Sequence, residues 1–321
     1  MHRHALMLVA GLLVAGVASA QGFPSRPVRV IVPFTAGSAI DVNARVIGQK
    51  LSDTWGQPVI TDNRPGANTI IGTEVAAKSP ADGYTLALAN DATLAMNPAL
   101  YPRLPYDPLK DFAPVTLIGS NSLLLVVPAS SPVKSVRELL ELARARQGEL
   151  NYASGGNGSA QHIPMEMLMA MTGVRLTHVP YKGVGPALND VIAGQIPVMF
   201  AGTPGALPHV RAGRLRALAI ASGQRSAAAP AIPTVDESGV PGFRYAAWVG
   251  YLAPAGTPGE IVARLNADII RAINAPDVRE KFAAVGFETQ TSTPEEFAQM
   301  IEREIARMAK LVREAGIKAE P

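Results

Sequence analysis

Val28-Arg29-Val30-Ile31-Val32, running into Pro33-Phe34-Thr35-Ala36-Gly37-Ser38-Ala39-Ile40-Asp41, is the stretch on which the fold turns. The first five residues are a β-rich run that stops at a proline. From Asp41 to Leu51 the apolar residues Val42, Val46, Ile47 and Leu51 fall on one broad helical face. A strand, a loop of small residues and a helix make half of a βαβ unit.

The unit recurs downstream. Val59–Thr61 and Tyr84–Ala89 read as strands around a helix at Ile70–Lys78, and Leu123–Val127 is a continuous apolar run, as in a strand buried on both faces. Strands at Leu150–Ala153, Arg175–Val179, Pro197–Phe200 and Leu215–Ile220 alternate with helices at Ala160–Thr172, Pro186–Ala193 and Pro204–Ala212. Capping boxes at Ser135–Glu138, Thr257–Glu260 and Thr293–Glu296 predict helix starts, and Gly316 a helix end. This order predicts parallel sheets with helices on both faces. Val115–Val127 and Leu215–Ser222 are extended enough to carry the chain between lobes, and Ser222–Pro233 reads as an ordered crossover.

The chain start sets the expected compartment. Met1-His2-Arg3-His4 is basic, Ala5–Ala18 is uncharged, and Ala18-Ser19-Ala20 has the small-x-small form cut by signal peptidase. The apolar stretch is too short to span a hydrocarbon layer of roughly 30 Å as a helix. Cleavage before Gln21 would leave 301 of the 321 residues, enough for two domains. Losing Arg3 would lower the formal charge from +3 to +2, and no basic run marks a nucleic-acid partner. With no cysteine, disulfides, thiolate metal sites and thiol nucleophiles are excluded.

In open α/β sheets ligands bind beyond the carboxyl ends of strands. The loops expected there are alike: Phe34–Ala39, Arg64–Thr69, Asn90–Thr93, Ser154–Ser159 and Gly202–Gly205. Each mixes small residues, which let amides approach a ligand, with hydroxyl or amide side chains, and several open a helix whose free N–H groups favour an anion. The candidate ligand-binding residues are Phe34, Gly37, Ser38, Ala39, Gly66, Ala67, Asn68, Thr69, Asn90, Asp91, Thr93, Ser154, Asn157, Ser159, His162, Tyr181, Ala201 and Thr203. No nucleophile elbow, P-loop or zinc-spaced histidine pair occurs, so no catalytic residue, metal or cofactor is expected. Asp41 reads as a helix cap, His178 as a structural histidine, and Trp55 and Trp248 as core or hinge packing. An Asp91–His162 acid/base pair would be the rival enzymatic reading, and it requires the two groups within about 3 Å of each other or of one water.

Val32-Pro33-Phe34 through Asp41, Asn63-Arg64-Pro65-Gly66-Ala67, Pro80-Ala81-Asp82-Gly83-Tyr84 and Asn97-Pro98-Ala99-Leu100-Tyr101 carry a family resemblance, as does Leu104-Pro105-Tyr106-Asp107-Pro108. So do Leu150-Asn151-Tyr152-Ala153-Ser154, His178-Val179-Pro180-Tyr181-Lys182-Gly183, Pro233-Thr234-Val235 with Glu237-Ser238-Gly239, and Leu252 through Pro258. Over essentially the whole mature chain the sequence resembles the Bug-type extracytoplasmic receptors, the solute-binding proteins of tripartite tricarboxylate transporters. The resemblance implies an α/β fold of two doubly wound lobes, the type II-like flytrap of periplasmic binding proteins. It implies residues 1–20 as signal peptide, 21–122 plus 224–321 as lobe I, and 123–223 as lobe II. It also implies a monomeric periplasmic receptor that takes a small organic acid or amino-acid-like ligand to membrane transporter subunits, or to a two-component sensor. The carboxylate would be held by amides, hydroxyls and ordered water. The chain departs from the family pattern at Ala36-Gly37-Ser38-Ala39, at Asn68-Thr69 in place of a glycine pair, at Ala201 in place of an aspartate, and at Asp91. If Asp91 faces the cleft, a ligand with a carboxylate at one end and a donor at the other is expected. If Asp91 turns away, it would cap the following segment or pair with Arg64.

Overall fold

The computed structural model describes residues 22–284 and 286–317, so the expected signal peptide and Gln21 lie outside the described residues. The first sheet has the order β11-β4-β10-β3-β1-β2, built from β1 (Val28–Val32), β2 (Val59–Asn63), β3 (Thr85–Asn90), β4 (Phe112–Asn121), β10 (Ala247–Pro254) and β11 (Phe287–Thr289). The second has the order β7-β6-β8-β5-β9, from β5 (Leu123–Pro128), β6 (Asn151–Ser154), β7 (Thr177–Pro180), β8 (Val198–Gly202) and β9 (Leu215–Ile220).

Both sheets are mixed, which corrects the expectation of parallel ones. β10 runs antiparallel to β3 and β4, and β5 antiparallel to β8 and β9. Chain direction explains it. Only Ser122 separates β4 from β5, so β5 enters the second sheet at the edge where β4 has just ended. A strand that arrives across that edge must run away from it, whereas β6 and β8 run toward it. β10 makes the same entry on the return from β9.

Helices cover both faces. On the first sheet, α1 (Ala39–Trp55), α8 (Gly259–Ile273) and α9 (Pro276–Ala284) close one core with Ile47, Leu51, Leu265 and Phe282. The opposite core, around Leu94, Trp248 and Phe297, lies under α2 (Ile70–Ala77) and the start of α10 (Pro294–Ala315). On the second sheet, α4 (Val136–Ala145) and α5 (His162–Thr172) cover one face, and α6 (Val184–Ile192) and α7 (Thr203–Arg211) the other. Between β3 and β4 lie a π-helical turn, Ala92–Met96, and α3 (Asn97–Leu100). Helix α10 serves both cores: Phe297 and Ile301 fill the first sheet's, Met308 and Val312 the second's.

Local chemistry decides the helix ends. Ser38 accepts the Asp41 N–H at the start of α1, and Gly56 ends it in the left-handed region. Val42 stays exposed, so the buried stripe of α1 is Ile40, Ala44, Ile47 and Leu51 instead. Thr293 and Glu296 form the expected reciprocal capping box. The other two boxes are corrected. Glu138 accepts from Lys134 N at 2.7 Å, one residue early. Pro258 keeps extended ψ, so α8 starts at Gly259 and the Thr257 hydroxyl donates to Pro254 O at 2.7 Å. Trp55 donates to Asp268 at 2.7 Å, and Trp248 packs edge-on against Phe297.

Candidate functional site

Three consecutive non-glycine residues in the β2–α2 loop, Ala67, Asn68 and Thr69, have φ of 44°, 48° and 74°. L-residues resist this region at roughly 1–2 kcal/mol each, so the surroundings must hold the loop there. Asn97 and Asn68 supply a reciprocal clamp: Asn68 Nδ2 donates to Asn97 Oδ1, and Asn97 Nδ2 to the Asn68 carbonyl, both at 2.8 Å. Thr93 Oγ1 lies 3.1 Å from Thr69 Oγ1 and 2.9 Å from Asn90 Oδ1, and Tyr106 donates to the Thr93 carbonyl at 2.7 Å. The outcome is a bent backbone whose Ala67, Asn68 and Thr69 N–H groups find no acceptor among the described residues.

The β1–α1 loop is fixed beside it. Asn63 donates to the Phe34 carbonyl at 3.1 Å and to Asp41 at 2.9 Å, and Asp41 accepts the Gly37 N–H at 2.8 Å. Burial pushes the Asp41 carboxyl up, but Arg45, Gly37 and Asn63 outweigh it and hold the group below its ordinary value. Asp41 is therefore an anionic brace for the loop as well as a first-turn residue. Gly72 lets α2 close on this region, since a Cβ there would lie 2.6 Å from Arg64 O and 2.8 Å from Pro33.

The second sheet meets these loops through Gly158, at φ +71°, where a Cβ would sit 2.6 Å from Leu100 Cδ1 and 3.4 Å from Asn68 Nδ2. Gly158 N donates to His162 Nδ1 at 3.0 Å. Ser154 Oγ lies 2.6 Å from His178 Nε2, and the same hydroxyl meets both Gly156 N and Gly156 O at 3.1 Å. His178 stacks on Tyr152 and on His162, and burial, then the neighbouring His162, pushes it down to about 4.

Fourteen of the eighteen sequence-predicted residues fall into two groups. Phe34, Gly37, Ser38, Ala39, Gly66, Ala67, Asn68, Asn157 and Ser159 are exposed or half-buried on the facing loops. Thr69, Asn90, Thr93, Ser154 and His162 are buried and brace those loops from behind. Tyr181 turns its hydroxyl to Asp190. Ala201 sits in the β8 core, and the Thr203 hydroxyl donates to Ser122 O at 2.7 Å, so neither presents a side-chain contact. Asp91 is only 1 % exposed and accepts from Tyr245. It does not cap the next segment or pair with Arg64, which pairs with Asp62 at 2.9 Å. Asp91 and His162, each committed elsewhere, do not meet as an acid/base pair.

Sequence reasoning missed Asn97 and Tyr245 as structural partners. Asn97 was legible only as part of the Asn97-Pro98 motif, and Tyr245 carried no signal. Two concavities are lined by none of the sequence-predicted residues: one of about 590 Å³ near Tyr101 and Leu109, and one of about 360 Å³ between Arg244, Trp248 and Arg307. No group of three His, Asp or Glu among the described residues is placed to hold a metal ion.

Residues 43–317 match the family model described as "Tripartite tricarboxylate transporter family receptor". The Bordetella pertussis protein BugT is 41% identical over 319 residues, covering 98% of each chain. A solved R. palustris protein with adipate superposes with TM-score 0.85 at 38% identity, over 92% of this chain and 99% of that one. MatC from Rhodopseudomonas palustris with bound malate gives 0.80 at 36% identity, over 90% and 100%.

Proposed function

Because the chain belongs to the tripartite tricarboxylate transporter receptor family, we propose that it captures a plain aliphatic dicarboxylate between its two sheets. The observation that carries this reading is the braced left-handed run Ala67–Asn68–Thr69, whose N–H groups find no acceptor among the described residues and whose Asn68 side chain lies beside Gly158. Amides fixed in this way bind a carboxylate without a buried cation. Relatives solved with adipate and malate support the ligand class. The placement of Asp91 supports it too, since its carboxylate is bonded to Tyr245 rather than offered to an amine-bearing ligand.

On this reading residues 21–122 with 224–321 form lobe I and 123–223 lobe II. A signal peptide at 1–20 is cleaved, and the monomeric receptor delivers its ligand in the periplasm to membrane transporter subunits. Family and solved neighbours are receptors, and the commitment of Asp91 to Tyr245 and of His162 to Gly158 supports binding without catalysis. Calorimetry with succinate, malate and adipate against lysine and nicotinate tests the proposal. A dicarboxylate should bind most tightly, and Asn97→Ala, which frees the Asn68 clamp, should weaken it about tenfold. Tighter binding of lysine or nicotinate than of every dicarboxylate would overturn it.

A further inference from the structure

We propose that His162, as a neutral imidazole, is the positioning residue that shapes the Ser154–Ser159 loop for ligand capture, and that protonating it releases the loop. The inference rests on the receptor reading above.

His162 opens α5 and is 4 % exposed. Its Nδ1 accepts the Gly158 N–H at 3.0 Å, so the ring proton must sit on Nε2, which lies 3.2 Å from Glu166 Oε1. Tyr152 also donates to that Glu166 oxygen. Burial pushes the Glu166 carboxyl up, but the bonds from His162 and Tyr152 outweigh it and keep the group anionic. Glu166 therefore fixes which nitrogen of His162 carries the proton, the usual task of a carboxylate behind a histidine.

The loop is tied at both ends to a pair of parallel imidazoles 4.1 Å apart: Ser154 to His178 at 2.6 Å, Gly158 to His162 at 3.0 Å. The titratable groups facing His162 are Glu166 from its own helix, Tyr152 from β6 and His178 from β7. From α10, Arg307 reaches Met167 at 3.9 Å and is paired with Glu304. Glu166 is served by Nε2–H in either charge state, so the contact that senses the proton is the one at Nδ1.

A proton on Nδ1 turns an acceptor into a donor aimed at another donor. The Gly158 N–H must then move. Gly158 is the point where this loop approaches Leu100 and the Asn68 side chain, and that side chain is half of the Asn97 clamp on the Ala67–Thr69 run, so a shift of Gly158 is felt there. Acid therefore weakens capture by a route separate from titration of the ligand's own carboxylates.

Two substitutions separate the ring nitrogens. In His162→Asn the side-chain oxygen takes the place of Nδ1, while in His162→Gln the longer amide reaches toward Nε2 and leaves Gly158 without its acceptor. Adipate is the probe, titrated calorimetrically from about pH 7.5 to pH 5.5, and the variant-to-wild-type ratio cancels the titration of adipate itself. At the upper pH His162→Gln should bind adipate about tenfold more weakly than His162→Asn, and toward acid wild type should lose affinity relative to His162→Asn. An Asn variant that tracks the wild-type pH profile, or Asn and Gln variants that behave alike, would overturn the inference. Nitrogen shifts of the His162 ring and the Gly158 amide, followed against pH without ligand, separate the two readings. If adipate fails to bind while these shifts move together, the dicarboxylate reading falls and the positioning role stands. If the Gly158 amide ignores the His162 titration, the positioning role falls whatever adipate does.

Discussion

Asp91 shows how a residue that stands out in the sequence can be taken up by a partner distant in the chain. The sequence placed a carboxylate in an otherwise uncharged loop. In the structure it lies in the core with one oxygen on Tyr245 and the other, Oδ1, without a partner. Burial, partly offset by the Tyr245 bond, pushes its carboxyl up to about 6. The folded form then holds a proton that the unfolded chain, titrating near 4, has already released. Stability must therefore fall as pH rises from about 4 to about 6 and stay lower above that. Asp91→Asn removes the ionisation while keeping the volume and an acceptor for Tyr245. It should stabilise the protein by about 1–3 kcal/mol at pH 8 and by nothing measurable at pH 4, read from chemical denaturation at the two pH values. Equal effects at both would mean that Asp91 does not titrate in the fold. Asn97 errs the other way, since an asparagine before a proline reads as a turn residue and its clamp on Asn68 is a tertiary fact.

At the scale of elements, what was legible had local causes. β1, α1, β9 and the Thr293 box follow from β-branched runs, helical spacing and caps, all written within a few residues. β10 and the direction of β5 were not legible. Ala247–Pro254 is buried throughout, so it has no alternation to betray a strand, and antiparallel entry depends on which sheet the chain has just left. The candidate site divides in the same way: its loops could be placed from turn chemistry, but which residues face out and which brace from behind depends on contacts distant in sequence. The two threonine-proline starts give a direct check of the capping argument. Thr293→Ala removes a cap bond and should cost about 1 kcal/mol, while Thr257→Ala removes only a hydroxyl bond to Pro254 O and leaves the start of α8 as it is. Amide exchange at Glu296, whose N–H the Thr293 hydroxyl accepts in the first turn of α10, should speed up for the first variant alone.

For the whole molecule, the two sheets are joined by more than the two strand crossings. The chain passes once through Ser122 and once through Ala221–Ala246, where Tyr245 N bonds to Ala221 O at 2.8 Å while its hydroxyl reaches Asp91 beyond β3. Helix α10 adds a third link, rooted by Phe297 in one core and by Met308 in the other. On the receptor reading a ligand is captured between the Ala67–Thr69 and Ser154–Ser159 loops, which approach each other at Gly158 and Asn68. A ligand that bridges those loops must therefore stabilise both sheets together. At 100 times its Kd a ligand adds roughly 2.7 kcal/mol to the stability of the state that binds it. Amide exchange with saturating adipate should accordingly slow at Ala67, Asn68 and Thr69 and at Gly155–Ser159 in the same experiment, with the β1 and β6 core amides gaining protection in step. Slowing confined to the loops of one sheet would place the ligand within a single lobe and remove the reason for the two to close. Gly158→Ala sharpens the test: its Cβ would lie 2.6 Å from Leu100 Cδ1 at a backbone angle that suits glycine, so it should block the approach of the loops. That variant should keep the exchange pattern of the ligand-free protein in both sheets and lose the coupled protection when adipate is added.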